Sequence, residues 1–243
     1  MSLRASHRLS LFAALVAGLV AFAPAFAGPI ADYETALRAA YADYRNALFA
    51  TNTKNRDGSD KTMAALDAKW SALVARYRAS PPPHYSEDTK WAASLQGVSD
   101  ILARAKAEVA KGDLAEAHET LESVRERLGE LRARNGLIAY SDRIDAFHHF
   151  MESVLTKPYG GLTGAGLTEL VEDVAVLALL GNELKKSPPA DAVQSAEFAP
   201  LLNAVLGAVG ELQAAARAGN VEAIKAARGK IKPAFAKLFV KFG

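Results

Sequence analysis

Apolar residues recur at intervals of three and four along nearly the whole chain after residue 28. This spacing places them on one face of an α-helix, and the long alternation of apolar and polar residues that favours strands is missing. Ala, Leu, Glu, Arg and Lys, which favour helices, dominate the composition. The pattern predicts an all-α protein with eight helices, at about residues 30–49, 60–79, 87–111, 113–134, 141–156, 167–186, 193–217 and 220–241.

Prolines and glycines explain several of these predicted boundaries. Residues 80–83 (Ser-Pro-Pro-Pro) cannot continue a helix, because proline lacks the backbone donor and restricts the residue before it. Gly112 and Gly219 stand where a helix end favours a left-handed residue. Each is followed by a polar residue, Asp113 or Asn220, that can cap the next helix.

The chain also matches itself at an offset of 107 residues. Ser80-Pro81-Pro82 aligns with Ser187-Pro188-Pro189, and Gly136 aligns with Gly243. Apolar positions follow at the same offset: Leu73 with Leu180, Trp91 with Phe198, Leu95 with Leu202, Val98 with Val205 and Leu131 with Leu238. Short connections favour antiparallel neighbours, so the repeat predicts two tandem up-down four-helix bundles that arose by internal duplication, at residues 28–136 and 137–243.

The first 27 residues predict a cleaved signal peptide. Arg4, His7 and Arg8 form a positive start, residues 11–22 are apolar, and residues 25–27 (Ala-Phe-Ala) supply a small-x-small cleavage pattern. No later segment approaches 18 uninterrupted apolar residues. We therefore expect a periplasmic or secreted protein with no stable membrane span after cleavage.

Charge and cysteine content narrow the function further. The chain has 29 basic and 27 acidic residues, and two of the basic ones, Arg4 and Arg8, belong to the predicted leader. The processed chain is therefore close to neutral and lacks the basic excess expected of a nucleic-acid-binding protein. It contains no cysteine, which excludes disulfides and thiolate metal sites.

Residues 219–243 (GNVEAIKAARGKIKPAFAKLFVKFG) place apolar and aromatic side chains at Phe235, Leu238, Phe239 and Phe242. This segment resembles the last helix of cytochrome c′-type four-helix bundles, which carries the haem-attachment sequence Cys-x-x-Cys-His and an aromatic residue three positions later. The resemblance implies a four-helix layout in each half. Because the cysteines and the histidine are replaced, it also implies that neither half holds covalent haem. The corresponding residues of the first half are Leu128, Leu131, Arg132 and Asn135.

Three of the five histidines lie between residues 117 and 152, and two of them precede a glutamate by four positions. His118 and Glu122 fall on the fourth predicted helix, and His148 and Glu152 on the fifth. Side chains at this spacing project to the same side of a helix and can bind one ion. Imidazole with carboxylate suits Fe, Zn, Cu(II), Mn or Ni rather than Cu(I) or Ca.

The leading hypothesis is therefore non-catalytic binding of a transition-metal ion for carriage, storage or sensing. The proposed ligands are His118, Glu122, His148 and Glu152, with His149 and Asp145 as second choices. If the fourth and fifth helices fold back on each other about residues 135–138, the two pairs share one site. If the bundles stack end to end, the pairs lie in separate cores.

Other interpretations of the same residues stay open. A His and a Glu four residues apart on a helix also form an ordinary solvated pair. The alternative function is a haemless four-helix bundle that binds a periplasmic protein partner, or serves in assembly, without a metal. An enzyme ranks third, because no Ser or Thr has a recognisable base beside it in the sequence.

Processing of the leader is directly testable. When the full chain is expressed with a secretion system, the exported product should begin at Gly28, as measured by intact mass and N-terminal sequencing. Ala27→Leu should leave the precursor uncut, because the cleavage pattern requires a small residue there. The control Phe26→Leu changes the unconstrained middle position and should be processed normally. A wild-type product that keeps its leader contradicts the assignment.

Overall fold

The computed structural model describes residues 28–243, and the predicted signal peptide lies outside the described residues. Within the described part, all regular structure is helical and no strand is present, which confirms the all-α prediction. Two 3₁₀ turns, Pro83–Tyr85 and Tyr159–Gly161, lie in connections. The α-helices are α1 (Pro29–Asn52), α2 (Arg56–Tyr77), α3 (Trp91–Lys111), α4 (Leu114–Arg134), α5 (Tyr140–Thr156), α6 (Gly164–Glu183), α7 (Ala190–Gln194), α8 (Phe198–Arg217) and α9 (Val221–Phe242).

The long helices contact one another in two closed circuits. In the first, α1 packs on α2, α2 on α3, α3 on α4 and α4 on α1; in the second, α5 packs on α6, α6 on α8, α8 on α9 and α9 on α5. The two circuits meet where α1 contacts α9 and where α4 contacts α5. Buried side chains from both circuits belong to one continuous apolar cluster. The halves therefore share a core and lie side by side.

The predicted helix caps are present at the starts of α4 and α9. Gly112 ends α3 in the left-handed conformation (φ +86°), and the Asp113 side chain accepts a backbone hydrogen bond in the first turn of α4 at 3.3 Å. Gly219 (φ +63°) and Asn220 repeat this arrangement before α9, with a hydrogen bond of 3.1 Å. These caps satisfy donors that the first turn of a helix leaves free, and so define where α4 and α9 begin.

The predicted helix at 193–217 is wrong in its extent. The structure divides this segment into α7 and α8, with a break at residues 195–197. A continuous helix would place Pro200 in its interior, where the ring clashes with the carbonyl four residues earlier and no backbone N–H is available. Beginning α8 at Phe198 leaves Pro200 in the first turn, where that N–H is not needed.

The predicted gap between residues 49 and 60 is also too long. α1 continues to Asn52, and α2 already begins at Arg56. The cause is Asn55, whose side-chain oxygen accepts a hydrogen bond from the Gly58 backbone N–H at 3.0 Å and caps α2. Asp57 and Gly58 therefore lie in the first turn of α2 rather than in a loop.

α8 is the one helix among residues 28–243 that is long and apolar enough to cross a membrane, judged by length and composition. It packs against α6 and α9, and Leu202, Val205, Val209 and Leu212 lie on its buried face. In this fold α8 therefore contributes to the shared core.

A buried ion pair links α4 to α5. Arg132, in the last turn of α4, is 7% exposed, and its Nε donates to Asp142 Oδ2 at 2.8 Å. The same oxygen accepts a hydrogen bond from the Ala139 backbone N–H at 2.7 Å, just before α5. Asp142 thus holds both the end of α4 and the start of α5, and so orients the two helices that carry the candidate ligands.

Loss of the Arg132–Asp142 ion pair should destabilise the folded chain. Arg132→Ala leaves a partly buried carboxylate without its cation and should lower the free energy of unfolding by about 3 kcal/mol. The matched control on the same helix is Arg127→Ala, which removes an exposed pair with Glu130 and should cost less than about 1 kcal/mol. Urea unfolding measures both values, and equal losses in the two variants would refute a structural role for Arg132.

Candidate functional site

A pocket of about 530 Å³ opens between α1, α4, α5 and α9. Five of the six candidate ligands line it: His118, Glu122, His148, His149 and Glu152. The sixth, Asp145, lies beside them, with its Oδ1 3.5 Å from His149 Nε2. Because α4 and α5 contact each other, the side-by-side arrangement that places both His–Glu pairs in one pocket is the one observed. The arrangement with the pairs in separate cores is wrong.

The tautomer of His118 follows from its hydrogen-bond partners. Its Nδ1 lies 3.2 Å from the Leu48 carbonyl oxygen and 3.3 Å from Thr51 Oγ1. A carbonyl oxygen can only accept, and the Thr51 hydroxyl already donates to the Ala47 carbonyl at 2.9 Å. The neutral ring must therefore carry its proton on Nδ1. Its Nε2 is left with a lone pair that lies 3.5 Å from Glu122 Oε1.

Burial keeps this ring neutral. Desolvation lowers the pKa of His118, and the positive charge of Arg125 and the neighbouring His148 lower it further, while Glu119 and the Leu48 carbonyl partly oppose them. His118 Nε2 therefore faces the Glu122 carboxylate with a lone pair, and the Arg125 guanidinium pairs with the same carboxylate.

The second pair is arranged differently. His148 Nε2 lies 3.6 Å from Glu152 Oε1, and the imidazole stacks on Phe235 with ring centroids 5.3 Å apart and planes inclined by 10°. His148 Nδ1 is buried and has no hydrogen-bond partner. The His148 imidazole and the ammonium of Lys232 lower the pKa of Glu152 to about 2, against the opposing effect of burial. Glu152 is therefore ionised at neutral pH.

Two basic residues that the sequence did not single out complete the site. Arg125 of α4 is 3% exposed and lies between two carboxylates: it pairs with Glu122, and its Nε is 3.1 Å from Asp145 Oδ1. Lys232 of α9 places its Nζ 2.8 Å from Glu152 Oε1. The seven-residue spacing of Arg125 and Arg132 beside the apolar stripe of α4 was an available signal for the first. No pattern in the sequence pointed to Lys232, because its contact with Glu152 joins distant parts of the chain.

The pocket is lined by histidine, carboxylate and basic side chains together. Among residues 28–243, no three His, Asp or Glu side chains stand close enough together to hold a metal ion. The carboxylates nevertheless outnumber the fixed cations by two when the histidines are neutral. The lining acids are Glu119, Glu122, Glu126 and Glu152, and the lining cations are Arg125 and Lys232. The pocket therefore favours a cation over an anion.

Glu152 makes stability depend on pH in a defined direction. Its pKa is about 2 in the folded chain and 4.5 ordinarily, so its contribution is full above about pH 4.5 and is lost as the pH falls through about 2. In Glu152→Gln, the free energy of unfolding by urea should decline less between about pH 5 and pH 2 than in wild type. Glu211→Gln, which alters an exposed pair with Lys230, is the control and should follow the wild-type profile. An unchanged profile in Glu152→Gln would show that this carboxylate gains nothing from its partners.

Similarity to known proteins assigns no role to this geometry. The chain matches no protein-family model, and neither a curated protein nor a solved structure is significantly similar to it.

Proposed function

We propose that this is an exported, non-catalytic helical-bundle protein that binds a transition-metal ion in the pocket between α4 and α5, for carriage, storage or sensing. The observation that carries the proposal is the geometry of His118. Its Nδ1–H is directed to the Leu48 carbonyl, and its Nε2 is left free beside Glu122. Metal-binding histidines use the same arrangement, in which the second nitrogen donates to a carbonyl or carboxylate and fixes the ring.

The charges of the pocket support the same ligand class. The His118 ring is neutral and Glu152 is ionised at neutral pH, and these are the forms that coordinate a metal. The two excess negative charges of the lining match a divalent ion. A bound ion would join the α4 pair to the α5 pair, with His149 and Asp145 as reserve ligands. Imidazole and carboxylate together suit Fe, Zn, Cu(II), Mn or Ni.

The architecture behind this proposal is a duplication with an offset of 107 residues. It gives two four-helix units, residues 28–136 and 137–243, that resemble cytochrome c′-type bundles without the haem. At this offset the starts of α3 and α4 coincide with those of α8 and α9. The left-handed glycines Gly112 and Gly219 coincide as well. Each unit corresponds to one closed circuit of helix contacts.

The second candidate is a partner-binding or assembly module that holds no metal. It is favoured by exposed apolar side chains on the second unit. Val176 and Leu179, one turn apart on α6, are 43% and 62% exposed, and Val193 on α7 is 67% exposed. Apolar side chains that form a contiguous exposed patch mark protein interaction sites. Under this alternative the His–Glu pairs are ordinary polar pairs at the edge of the core.

Metal loading separates the two candidates. After dialysis against Zn²⁺, Cu²⁺, Ni²⁺, Fe²⁺ or Mn²⁺ in separate samples, elemental analysis of the processed chain should find about one ion per chain for at least one metal. The double variant His118→Ala, His148→Ala should lose it, and binding should weaken below about pH 6, where protons compete for imidazole. His84→Gln is the control, because His84 pairs with Glu34 outside the pocket.

Two outcomes contradict the proposal. One is the absence of stoichiometric metal for every ion tested, which leaves the partner-binding alternative. The other is unchanged binding in the double histidine variant, which would place the metal elsewhere on the chain.

A further inference from the structure

A second cavity, of about 340 Å³, lies where the two circuits of helices meet. It is lined by residues of α1, of the α4–α5 connection, of α7 and of the end of α9, and it shares no lining residue with the pocket described above. Its apolar walls are formed by Leu37, Tyr41, Ile138, Tyr140 and Phe242. Small-molecule sites are concave and mostly apolar, have volumes in this range and are common between domains. The cavity therefore has the size and the lining of a ligand site.

Ile138 leaves apolar surface uncovered at this cavity. It is 72% exposed, whereas Leu37, Tyr41, Tyr140 and Phe242 are buried. Ile138 therefore lies at the mouth of the cavity, and an apolar ligand seated there would remove its side chain from water. Such burial of apolar surface is favourable.

Tyr140 provides a polar group that the folded chain leaves without a partner. The residue is 8% exposed and lines the cavity, and its hydroxyl is buried with no hydrogen-bond partner among residues 28–243. A buried hydroxyl without a partner is unfavourable and uncommon. Burial raises the pKa of Tyr140, so the hydroxyl keeps its proton at neutral pH and can donate it to an acceptor. A ligand oxygen in the cavity would supply that acceptor.

Arginine side chains supply further donors to the cavity. Arg132 uses Nε and Nη2 on Asp142, and its Nη1 makes no hydrogen bond within the described part of the chain. Arg38 reaches the cavity from α1, and its hydrogen bond goes to the neutral hydroxyl of Thr35 at 3.1 Å. Arg45 is already engaged, because its three nitrogens donate to backbone oxygens of the last turn of α9. Guanidinium groups with spare N–H donors match the geometry of a carboxylate.

Two acidic side chains of the lining oppose an anion, but they lie in more exposed positions. Glu34 faces His84 Nε2 at 3.3 Å and is partly exposed, and Asp191 on α7 is exposed. Water and salt screen exposed charges more strongly than buried ones. Arg132 and Tyr140, which are almost fully buried, are both donors. The buried part of the cavity therefore favours a ligand group that accepts hydrogen bonds.

We propose that this cavity binds a small apolar carboxylic acid in its ionised form. The carboxylate accepts hydrogen bonds from the free guanidinium N–H groups of Arg132 and Arg38 and from the Tyr140 hydroxyl. The apolar body of the ligand covers Ile138 and lies against Phe242. Because α1 belongs to one circuit and α9 to the other, the ligand contacts both. This site is independent of the metal site proposed above.

Three compounds with one apolar body and different head groups test the ligand class. Isothermal titration of the processed chain should show binding of about one 3-phenylpropionate per chain. The neutral 3-phenylpropanol should bind roughly tenfold more weakly, because it loses hydrogen bonds to a charged acceptor. The cationic 3-phenylpropylamine should bind more weakly still, because the guanidinium groups repel it. Absence of 3-phenylpropionate binding, or equal or tighter binding of the amine, would overturn the proposal.

Two substitutions test the location of the site. Tyr140→Phe removes only the hydroxyl, so it should weaken 3-phenylpropionate binding by about two- to tenfold without lowering the melting temperature. Tyr77→Phe is the matched control, because it removes another buried hydroxyl without a partner, outside the cavity. Arg38→Gln should weaken binding by about two- to fivefold, as expected for an exposed charge. Its control is Arg127→Gln, which removes an exposed charge elsewhere.

The two controls should bind 3-phenylpropionate as wild type does. If Tyr140→Phe and Arg38→Gln also match wild type, the carboxylate is bound elsewhere and the inference is refuted. Metal loading of the same variants should be unchanged, because neither Tyr140 nor Arg38 lines the other pocket. Failure of this inference and failure of the proposed metal site are therefore separate results.

Discussion

The contact on which the arrangement of the pocket depends is the pair of arginines that α4 turns toward α5. Arg125 and Arg132 are both almost fully buried, and they meet Asp145 and Asp142 one turn apart on the next helix. Buried charges are costly to desolvate and are retained only when partners with good geometry compensate for that cost. These pairs therefore constrain how α5 lies against α4. They lie at the junction where the two circuits of helices meet.

The candidate site is a direct consequence of that junction. Once α5 lies beside α4, the His–Glu pairs of the two helices open into one pocket, and α9 brings Lys232 and Phe235 to its wall. The buried guanidinium that positions the helices also occupies two of the carboxylates. Arg125 thus both joins α4 to α5 and pairs with two carboxylates at the edge of the pocket.

Local features of the sequence predicted the helices well because their causes are local. Periodicity identified the buried faces, and Gly112 and Gly219 marked helix ends where the backbone requires a positive φ. Two boundaries were missed for equally local reasons: Pro200 belongs in the first turn of a helix, and Asn55 caps α2 early.

The composition of the site was only partly predictable. The spacing of His118, Glu122, His148 and Glu152 was visible, but whether the two pairs share a pocket depends on how the halves pack, which no local pattern encodes. The salt bridge from Lys232 to Glu152 joins residues 80 positions apart, and helical periodicity carries no information about such a contact. Arg125 was hidden because a charged residue beside an apolar stripe is usually solvated, whereas here α5 covers it.

The proposed function requires His118 and His148, from two helices, to bind one ion in this pocket. Electron paramagnetic resonance of the Cu²⁺-loaded chain, with and without ¹⁵N-labelled histidine, counts the coordinating imidazole nitrogens directly. The expected spectrum shows hyperfine splitting from two imidazole nitrogens, reduced to one in either His118→Ala or His148→Ala. A spectrum with oxygen ligands alone, or one in which both single variants keep two nitrogens, would contradict it.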